Sequence, residues 1–243
     1  YRRSIAKAVL GTDDPETVAA AVSDWDKFYE TAERMKDAGY YMYSGRADTY
    51  RVYSNNVSSP WVKNDKTVVV DPNMMRWVER SLEDTRSGIN HNVPGQWIDE
   101  WNKDMGPDSK VFCFFLPAWG LDVCIKPNVT DTAAAQDWAS CPSPQSFFWG
   151  GTWLVAAQGS DNPEHVKDIM LKMTADRDIL RSLAVNNGEM SNDQPLMEEL
   201  AQSPDFGIEL LGGQNYLGVL SEVAANIDLS NISSYDQGCV EEF

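Results

Sequence analysis

Long apolar runs and basic side chains are the first things this sequence lacks. No uninterrupted apolar run reaches the roughly 18 residues that a membrane-spanning helix needs. Only 20 Lys and Arg stand against 37 Asp and Glu, which gives a net charge of −17. Such a surface repels phosphate groups, and no basic cluster reverses it locally. The sequence therefore excludes a membrane helix and argues against nucleic acid or anionic lipid as a partner.

Residues that carry nucleophilic, metal or cofactor chemistry are also few. The two histidines, His91 and His165, lie outside any nucleophile motif, and no GxSxG, HExxH, Walker A or GxGxxG pattern occurs. The four cysteines show no CxxC pairing and no histidine at metal-ligand spacing. Their even number permits disulfides without fixing a pairing. We therefore predict no catalytic residue, no metal and no cofactor.

Paired carboxylates are the remaining candidates for catalysis. A glycoside hydrolase needs two carboxyl groups roughly 5–10 Å apart beside the bound sugar. Each visible pair is also explained as a helix cap or a solvated helix face. A carbohydrate-active enzyme thus stays as the alternative to a binding protein, and a structural or adhesion module as a third. The pairs are Asp24 and Asp26, Asp99 and Glu100, and Glu198 and Glu199.

Aromatic residues are what the chain has in excess. Nine Trp, nine Tyr and eight Phe make up 11% of it. Many of these rings are expected in the core, but flat rings also stack on sugars and are favoured at recognition surfaces. In the stretch FWGGTW, rings flank two glycines, which allow a close backbone approach, a hinge or a tight turn. A core strand bent at glycine explains that stretch equally well.

Apolar runs and helical patterns alternate along the chain and predict an α/β fold. We expect strands at 40–45, 66–70, 111–116, 136–141 and 147–157, and the run at 111–116 is typical of a strand covered on both faces. Helices are expected in two pieces over 13–38 (the second capped by Ser23), at 72–82, after residue 160 and over most of the chain to residue 226. Residues 46–61 suit a loop or a short helix. The predicted inward faces are Trp25, Phe28, Ala32 and Met35; Met75, Val78 and Leu82; and Val166, Ile169, Met170 and Met173.

Six segments taken together resemble a known family. In order they are SDWDKFYETAERMKDAGYYM, DTYRVYSNNVSSPWV, FFLPAWG, FFWGGTWLVAAQGSDNPEHVKDIMLKM, LLGGQNYLGVLSEVA and SYDQG. They resemble the family 1 extracellular solute-binding proteins of carbohydrate ABC importers, the group that includes maltose-binding protein. FFWGGTW is the most specific segment, and the resemblance runs through nearly the whole chain. It implies a periplasmic-binding-protein-like (type II) two-lobed α/β clamp that binds a sugar and is not an enzyme.

The resemblance also implies which residues contact the sugar. Ligands in α/β folds collect beyond the carboxyl ends of the strands, where VFCFFL leads into PAWG. There Trp119 is similar to the family's stacking tryptophan. The other implied contacts are further rings, a glycine at the crossing between lobes, and polar groups that bond sugar hydroxyls. The full set is Trp119, Tyr50, Tyr53, Trp149, Gly151, Tyr216, Asp48, Arg46 and Gln214.

Lobes, partners and location follow from the same resemblance. Residues 1–150 are expected in the second, C-terminal lobe, 151–188 in the first lobe, and 189–243 in the second lobe again. Family members are longer, so we expect a fragment dominated by the second lobe. The implied partners are a carbohydrate and the permease subunits of an ABC importer, for a monomer that is extracellular, either a membrane-anchored lipoprotein or periplasmic. The opening YRRSIAKAVLG carries no signal-peptide pattern, so the chain is mature, trimmed or not secreted.

Overall fold

A computed structural model describes residues 1–129 and 135–243, and helices dominate it. None of the described helices is long and apolar enough to cross a membrane. A π-helical turn (Leu121–Ile125) and two 3-10 turns (Lys126–Asn128 and Glu209–Leu211) lie between the longer helices. The α-helices are α1 (Arg3–Leu10), α2 (Pro15–Ala21), α3 (Trp25–Asp37), α4 (Arg46–Asn55), α5 (Pro72–Ser87), α6 (Asp99–Asp104), α7 (Pro163–Ala175), α8 (Arg177–Asn187), α9 (Gln194–Ala201), α10 (Leu217–Ala224) and α11 (Asp236–Glu242).

Aspartate side chains determine where several helices begin. Asp14 and Asp71 accept backbone N–H groups in the first turns of α2 and α5, which satisfies donors that have no partner within the helix. The predicted cap of α3, Ser23, is wrong by one residue. Asp24 is the cap, because its Oδ1 accepts the Lys27 N–H at 2.9 Å. The segment at 46–61, left open between loop and helix, begins with α4.

Five extended segments lie side by side and form a rudimentary sheet. In spatial order they are residues 89–93, 41–44, 110–113, 1–3 and 137–139. The first three segments are parallel, and 1–3 runs antiparallel to 137–139. Typical backbone bonds run from Met42 N–H to the Ile89 carbonyl and from Phe112 N–H to the Tyr41 carbonyl, both at 2.8 Å. The parallel segments end at the same edge, which places the loops that follow them together.

The predicted strands are present only as isolated bridges in the described part of the chain. To extend the strand, residues 114–116 would have to pair with the residues that follow segment 41–44. Those residues instead begin helix α4 at Arg46. Pro117 follows, and it lacks the N–H that further pairing needs. The predicted burial of this run holds at its start, since Val111 and Phe112 are buried. The described residues thus form helices around a few short paired segments.

The predicted inward face of α5 is wrong. Met75, Val78 and Leu82 are 44%, 37% and 49% exposed. The buried face carries polar residues instead, among them Asp84, whose Oδ2 accepts the Tyr43 hydroxyl at 2.5 Å. A search for apolar periodicity misses such a face because three of its four buried side chains, Asn73, Ser81 and Asp84, are polar.

Residues 147–157 and α7 also differ from prediction. No strand pairing is present at 147–157, and Trp153 and Val155 are 88% and 82% exposed. The helix predicted after residue 160 is present as α7, but it buries no residue, and Ile169 and Met173 of its predicted inward face are exposed. This apolar stretch therefore has no covering element among the described residues.

Two apolar cores hold the chain together. The first packs α1, α2 and α3 on the extended segments, around residues such as Phe28 and Phe112. The second packs α6, α8, α9 and α10, with Trp101 and Leu196 among its most buried members. Leu180 of α8 lies in this second core. The predicted division into lobes, with a boundary near residue 188, stays a prediction.

Candidate functional site

Three tryptophans meet beyond the ends of the parallel segments. The ring centroids of Trp97 and Trp119 are 6.1 Å apart, with 17° between the planes. Trp149 meets Trp119 edge-on at 5.4 Å and Trp97 at 6.3 Å. Trp97 is 54% exposed, and the other two are partly buried. We call these three side chains the tryptophan platform. Exposed indole faces such as that of Trp97 are of the kind that stacks on sugar rings.

A buried tryptophan supports the platform from behind. Trp101 of α6 is 1% exposed, and its ring lies 5.4 Å from that of Trp97. Its Nε1–H donates to Asp48 Oδ1 at 2.8 Å. A buried indole needs such an acceptor, so this bond fixes the orientation of the ring against which Trp97 packs.

The carboxylate of Asp48 is surrounded by donors from this chain. Its Oδ2 accepts the backbone N–H groups of Ser44 and Gly45, both at 3.1 Å. Its Oδ1 accepts Gln96 Nε2 at 3.1 Å in addition to Trp101. Burial raises the pKa of Asp48 to about 6, against the opposing effect of these hydrogen bonds. Asp48 thus ties the start of α4 to the loop that carries Trp97.

Gly150 allows a close approach to Trp119. Its φ is +84°, and a Cβ added there would lie 3.1 Å from Trp119 Nε1. The same Nε1–H donates to the Trp149 carbonyl at 3.2 Å. Only glycine adopts such a φ without strain, so the FWGG sequence sets the angle between two of the platform's rings. Gly151 follows with φ +106°.

Helix α4 borders the platform on the Trp149 side. Asn55 Oδ1 accepts the Phe148 N–H at 2.5 Å, and Asn56 Nδ2 donates to the Ser146 carbonyl at 2.9 Å. One turn before Asn55, the Arg51 guanidinium lies over the Trp149 ring at 5.4 Å from its centroid. The helix therefore presents a cation beside an otherwise apolar surface.

A half-open cleft of about 1340 Å³ begins at the platform. It runs between residues 112–119, residues 138–154 and the helices α8 and α10, with a mostly apolar lining. Glu189 is the one acidic side chain that lines it in the described ranges, and burial raises the pKa of that carboxyl. No group of three or more potential metal ligands occurs among the described residues.

The cleft brings together four of the nine residues predicted to contact ligand. Trp119, Trp149, Gly151 and Tyr216 all line it. Tyr216 is 3% exposed, and its hydroxyl donates to the Gly188 carbonyl, so only a small part of its ring faces the cleft. Trp119 and Trp149 are the two whose rings belong to the platform.

The other five predicted residues lie outside this lining. Gln214 bonds both backbone groups of Ser140 at 2.8 Å, which occupies its amide. The Tyr53 ring is 6% exposed and stacks on Trp25 at 4.4 Å. Tyr50 packs edge-on against Trp77 at 5.1 Å. Asp48 is buried as described above, and Arg46 is exposed at the start of α4.

Trp97 and Arg51 are the residues that sequence reasoning missed. Trp97 lies in the NHNVPGQW stretch, which reads as an ordinary loop. Its φ of +66° is a genuine outlier for a bulky side chain, and such strain is concentrated at functional sites. No local pattern shows that strain, but this loop follows a segment that ends at the same sheet edge as VFCFFL.

Comparison with known proteins bears on the fold. A solved structure described as an extracellular solute-binding protein family 1 superposes on all of this chain with a TM-score of 0.81, at 18% sequence identity. The chain shares that fold. It spans 62% of the length of that structure. No protein-family model matches the chain, and no curated protein matches it either.

Proposed function

We propose that this chain is the carbohydrate-binding component of an ABC importer. The observation that carries the proposal is the tryptophan platform at the carboxyl edge of the parallel segments, in a chain with a solute-binding-protein fold. Sugar rings have apolar faces that stack on indoles, and their hydroxyls bond nearby polar groups. The cleft of about 1340 Å³ provides room for a saccharide larger than one ring.

Transport would follow from closure around the sugar. The neighbouring solved structure is longer than this chain. Its length supports the expectation that another lobe, the first lobe of the clamp, faces the platform. A two-lobed clamp closes by hinge motion and then presents its loaded form to a partner. We propose permease subunits of the importer as that partner, an extracellular or periplasmic location, and a monomer as the working form.

A glycoside hydrolase is the second candidate. It would need two carboxyl groups roughly 5–10 Å apart beside the sugar. In the described residues the cleft supplies one, Glu189. Two of the three visible acid pairs have other contacts: Asp24 caps α3, and Glu199 bonds Arg177 and Arg181. The third pair, Asp99 and Glu100, lies in the first turn of α6 and outside the lining of the cleft. Binding without turnover is therefore the better-supported function.

Replacing Trp119 with alanine tests the proposal. A central aromatic contact is worth about 2 kcal/mol or more, so affinity for the best sugar of a calorimetric panel should fall about 30-fold. Trp61→Ala is the matched control, because Trp61 packs on Phe243 rather than on the platform. Far-UV circular dichroism verifies that both variants fold.

Two results would contradict the proposal. One is a Trp119→Ala variant that keeps the parent's affinity for sugar. The other is the release of shorter sugars from an oligosaccharide panel, lost when Glu189 is changed to Gln, which would indicate the hydrolase instead.

A further inference from the structure

A cation stands beside the platform in a strongly acidic protein. The chain carries a net charge of −17, yet the exposed Arg51 holds its guanidinium over the Trp149 ring, 5.4 Å from the centroid. Its guanidinium forms no ion pair with the acidic groups of the described residues. Most of the protein's surface would repel an anion, and this spot would not.

The position of Arg51 is fixed by the backbone. Arg51 and Asn55 are four residues apart on α4, so they share one face of the helix. Asn55 holds the Phe148 N–H at 2.5 Å, which places the next residue, Trp149, under Arg51. The backbone therefore places Arg51 where its guanidinium reaches the Trp149 ring.

The donors of the Arg51 guanidinium are available. The planar guanidinium carries five N–H donors along its edge, and no ion pair of Arg51 with the described residues occupies them. That edge matches the two oxygens of a carboxylate and binds them in a bidentate pair. An arginine held in this way is suited to receive a carboxylate from a ligand that lies across the neighbouring rings.

We propose that the platform binds an acidic saccharide, one that contains a uronic acid, with Arg51 pairing with its carboxylate. This inference rests on the proposed carbohydrate-binding function. The second cation of α4, the exposed Arg46 in its first turn, adds positive potential on the same helix. Asp48 on the same helix is bonded by four donors of this chain and forms no ion pair with Arg46 or Arg51. Asp99 and Glu100 lie close to Trp97 in sequence but form no ion pair with Arg51.

The test compares sugars that differ only in charge. Calorimetry on the full chain uses pairs of equal size: glucose with glucuronate, galactose with galacturonate, and trigalacturonate with its methyl ester. We expect the tightest ligand to carry a free carboxylate and to bind about tenfold more weakly to Arg51→Gln, since a charge-assisted pair is lost. Arg51→Lys should recover part of that loss. Arg86→Gln, which removes an exposed charge on α5, should leave affinity unchanged.

The outcomes separate this inference from the function on which it rests. A neutral sugar that binds as tightly as its acidic counterpart, with sensitivity to Trp119→Ala, overturns the inference and leaves the carbohydrate-binding function standing. An acidic sugar whose affinity is unaffected by Arg51→Gln also overturns it. If no sugar in the panel binds, the proposed function fails and the inference with it.

Discussion

Two aromatic groups in this protein have their rings at similar distances from one another but have different surroundings. The inner aromatic cluster consists of Trp25, Phe28, Tyr29, Tyr53 and Phe115, whose rings lie 4.4 to 6.5 Å from that of Trp25 or Phe28. It packs around Phe28 and Phe115 of the first core; Tyr53 is also buried, and Trp25 and Tyr29 are partly buried. The tryptophan platform has similar ring spacings but is partly open to solvent.

The difference lies in what holds each group in place. The inner aromatic cluster is fixed mainly by ring contacts around Phe28, which is only 1% exposed, with Trp25 Nε1–H donating to Gln145 at its margin. The platform is fixed by polar bonds and backbone geometry: the Asp48 carboxylate, the Trp119 indole bond and the close approach at Gly150. Ring spacing alone therefore does not distinguish a core from a binding surface, but the supporting contacts do.

The largest expected effect is on the inner aromatic cluster. Phe28→Ala removes a fully buried ring and should lower the free energy of unfolding by about 3–5 kcal/mol. Trp97→Ala, on the platform, should lower it by less than about 1 kcal/mol, because its ring is 54% exposed and its backbone strained. Urea denaturation of both variants measures the contrast.

Equal losses of stability in Phe28→Ala and Trp97→Ala would remove the distinction between the two groups. Sugar affinity gives the second half of the comparison. Trp97→Ala should lose affinity without losing stability, and an unchanged affinity in that variant would take Trp97 out of the platform.

The next largest effect is a dependence of stability on pH. It comes from Asp48, which supports the platform through Trp101. The pKa of Asp48 is raised from 3.8 to about 6 in the folded chain, so between these pH values the folded chain holds a proton that the unfolded chain releases. Stability from this group is complete below pH 3.8 and is lost as pH rises through about 6. The loss amounts to about 3 kcal/mol. Asp48→Asn cannot ionise, so the parent's stability relative to this variant should fall by that amount between pH 4 and pH 7.

Urea titrations at several pH values check this difference, with Asp26→Asn on the exposed first turn of α3 as the control. The opposite sign is equally informative. If the parent gains stability over Asp48→Asn as pH rises, the four N–H donors outweigh burial and hold the carboxylate ionised. That would make the support of the platform a charged one.

The sequence predicted much of the helical part of this fold and little of its strand pairing. The aspartate and proline signals before α2, α5 and α7 are local, so they could be found without a structure. The inward face of α5 could not, because its buried residues include the polar Ser81 and Asp84, and Asp84 is bonded by Tyr43, 41 residues away in sequence. The run at 111–116 has strand composition, but its pairing depends on where a neighbouring segment turns into α4.

The candidate site shows the same limit. Trp119 follows directly from an apolar run that ends at proline. Trp149 is predicted in the segment with the glycine pair, but its contact with Trp119 is not predicted. The position of the Trp97 ring depends on a left-handed backbone in a loop. The position of Arg51 over Trp149 depends on the bond between α4 and residue 148, which joins residues 93 apart in sequence. Long-range contacts of this kind leave no trace in local periodicity.

The smallest expected effect concerns the glycine that positions Trp119. Gly150→Ala places a Cβ 3.1 Å from Trp119 Nε1 at a φ of +84°, so the indole must move by a few tenths of an ångström. Backbone strain should cost about 1 kcal/mol of stability, and the movement of Trp119 should weaken sugar binding. Gly151→Ala is the matched control, because it carries similar strain at φ +106° but its Cβ meets Phe148 only at 3.8 Å. Near-UV circular dichroism reports the tryptophan packing, and we expect it to change in Gly150→Ala and to be preserved in Gly151→Ala. If both variants keep the parent spectrum and the parent affinity, the angle between Trp119 and Trp149 is not set by Gly150, and the platform depends on polar support alone.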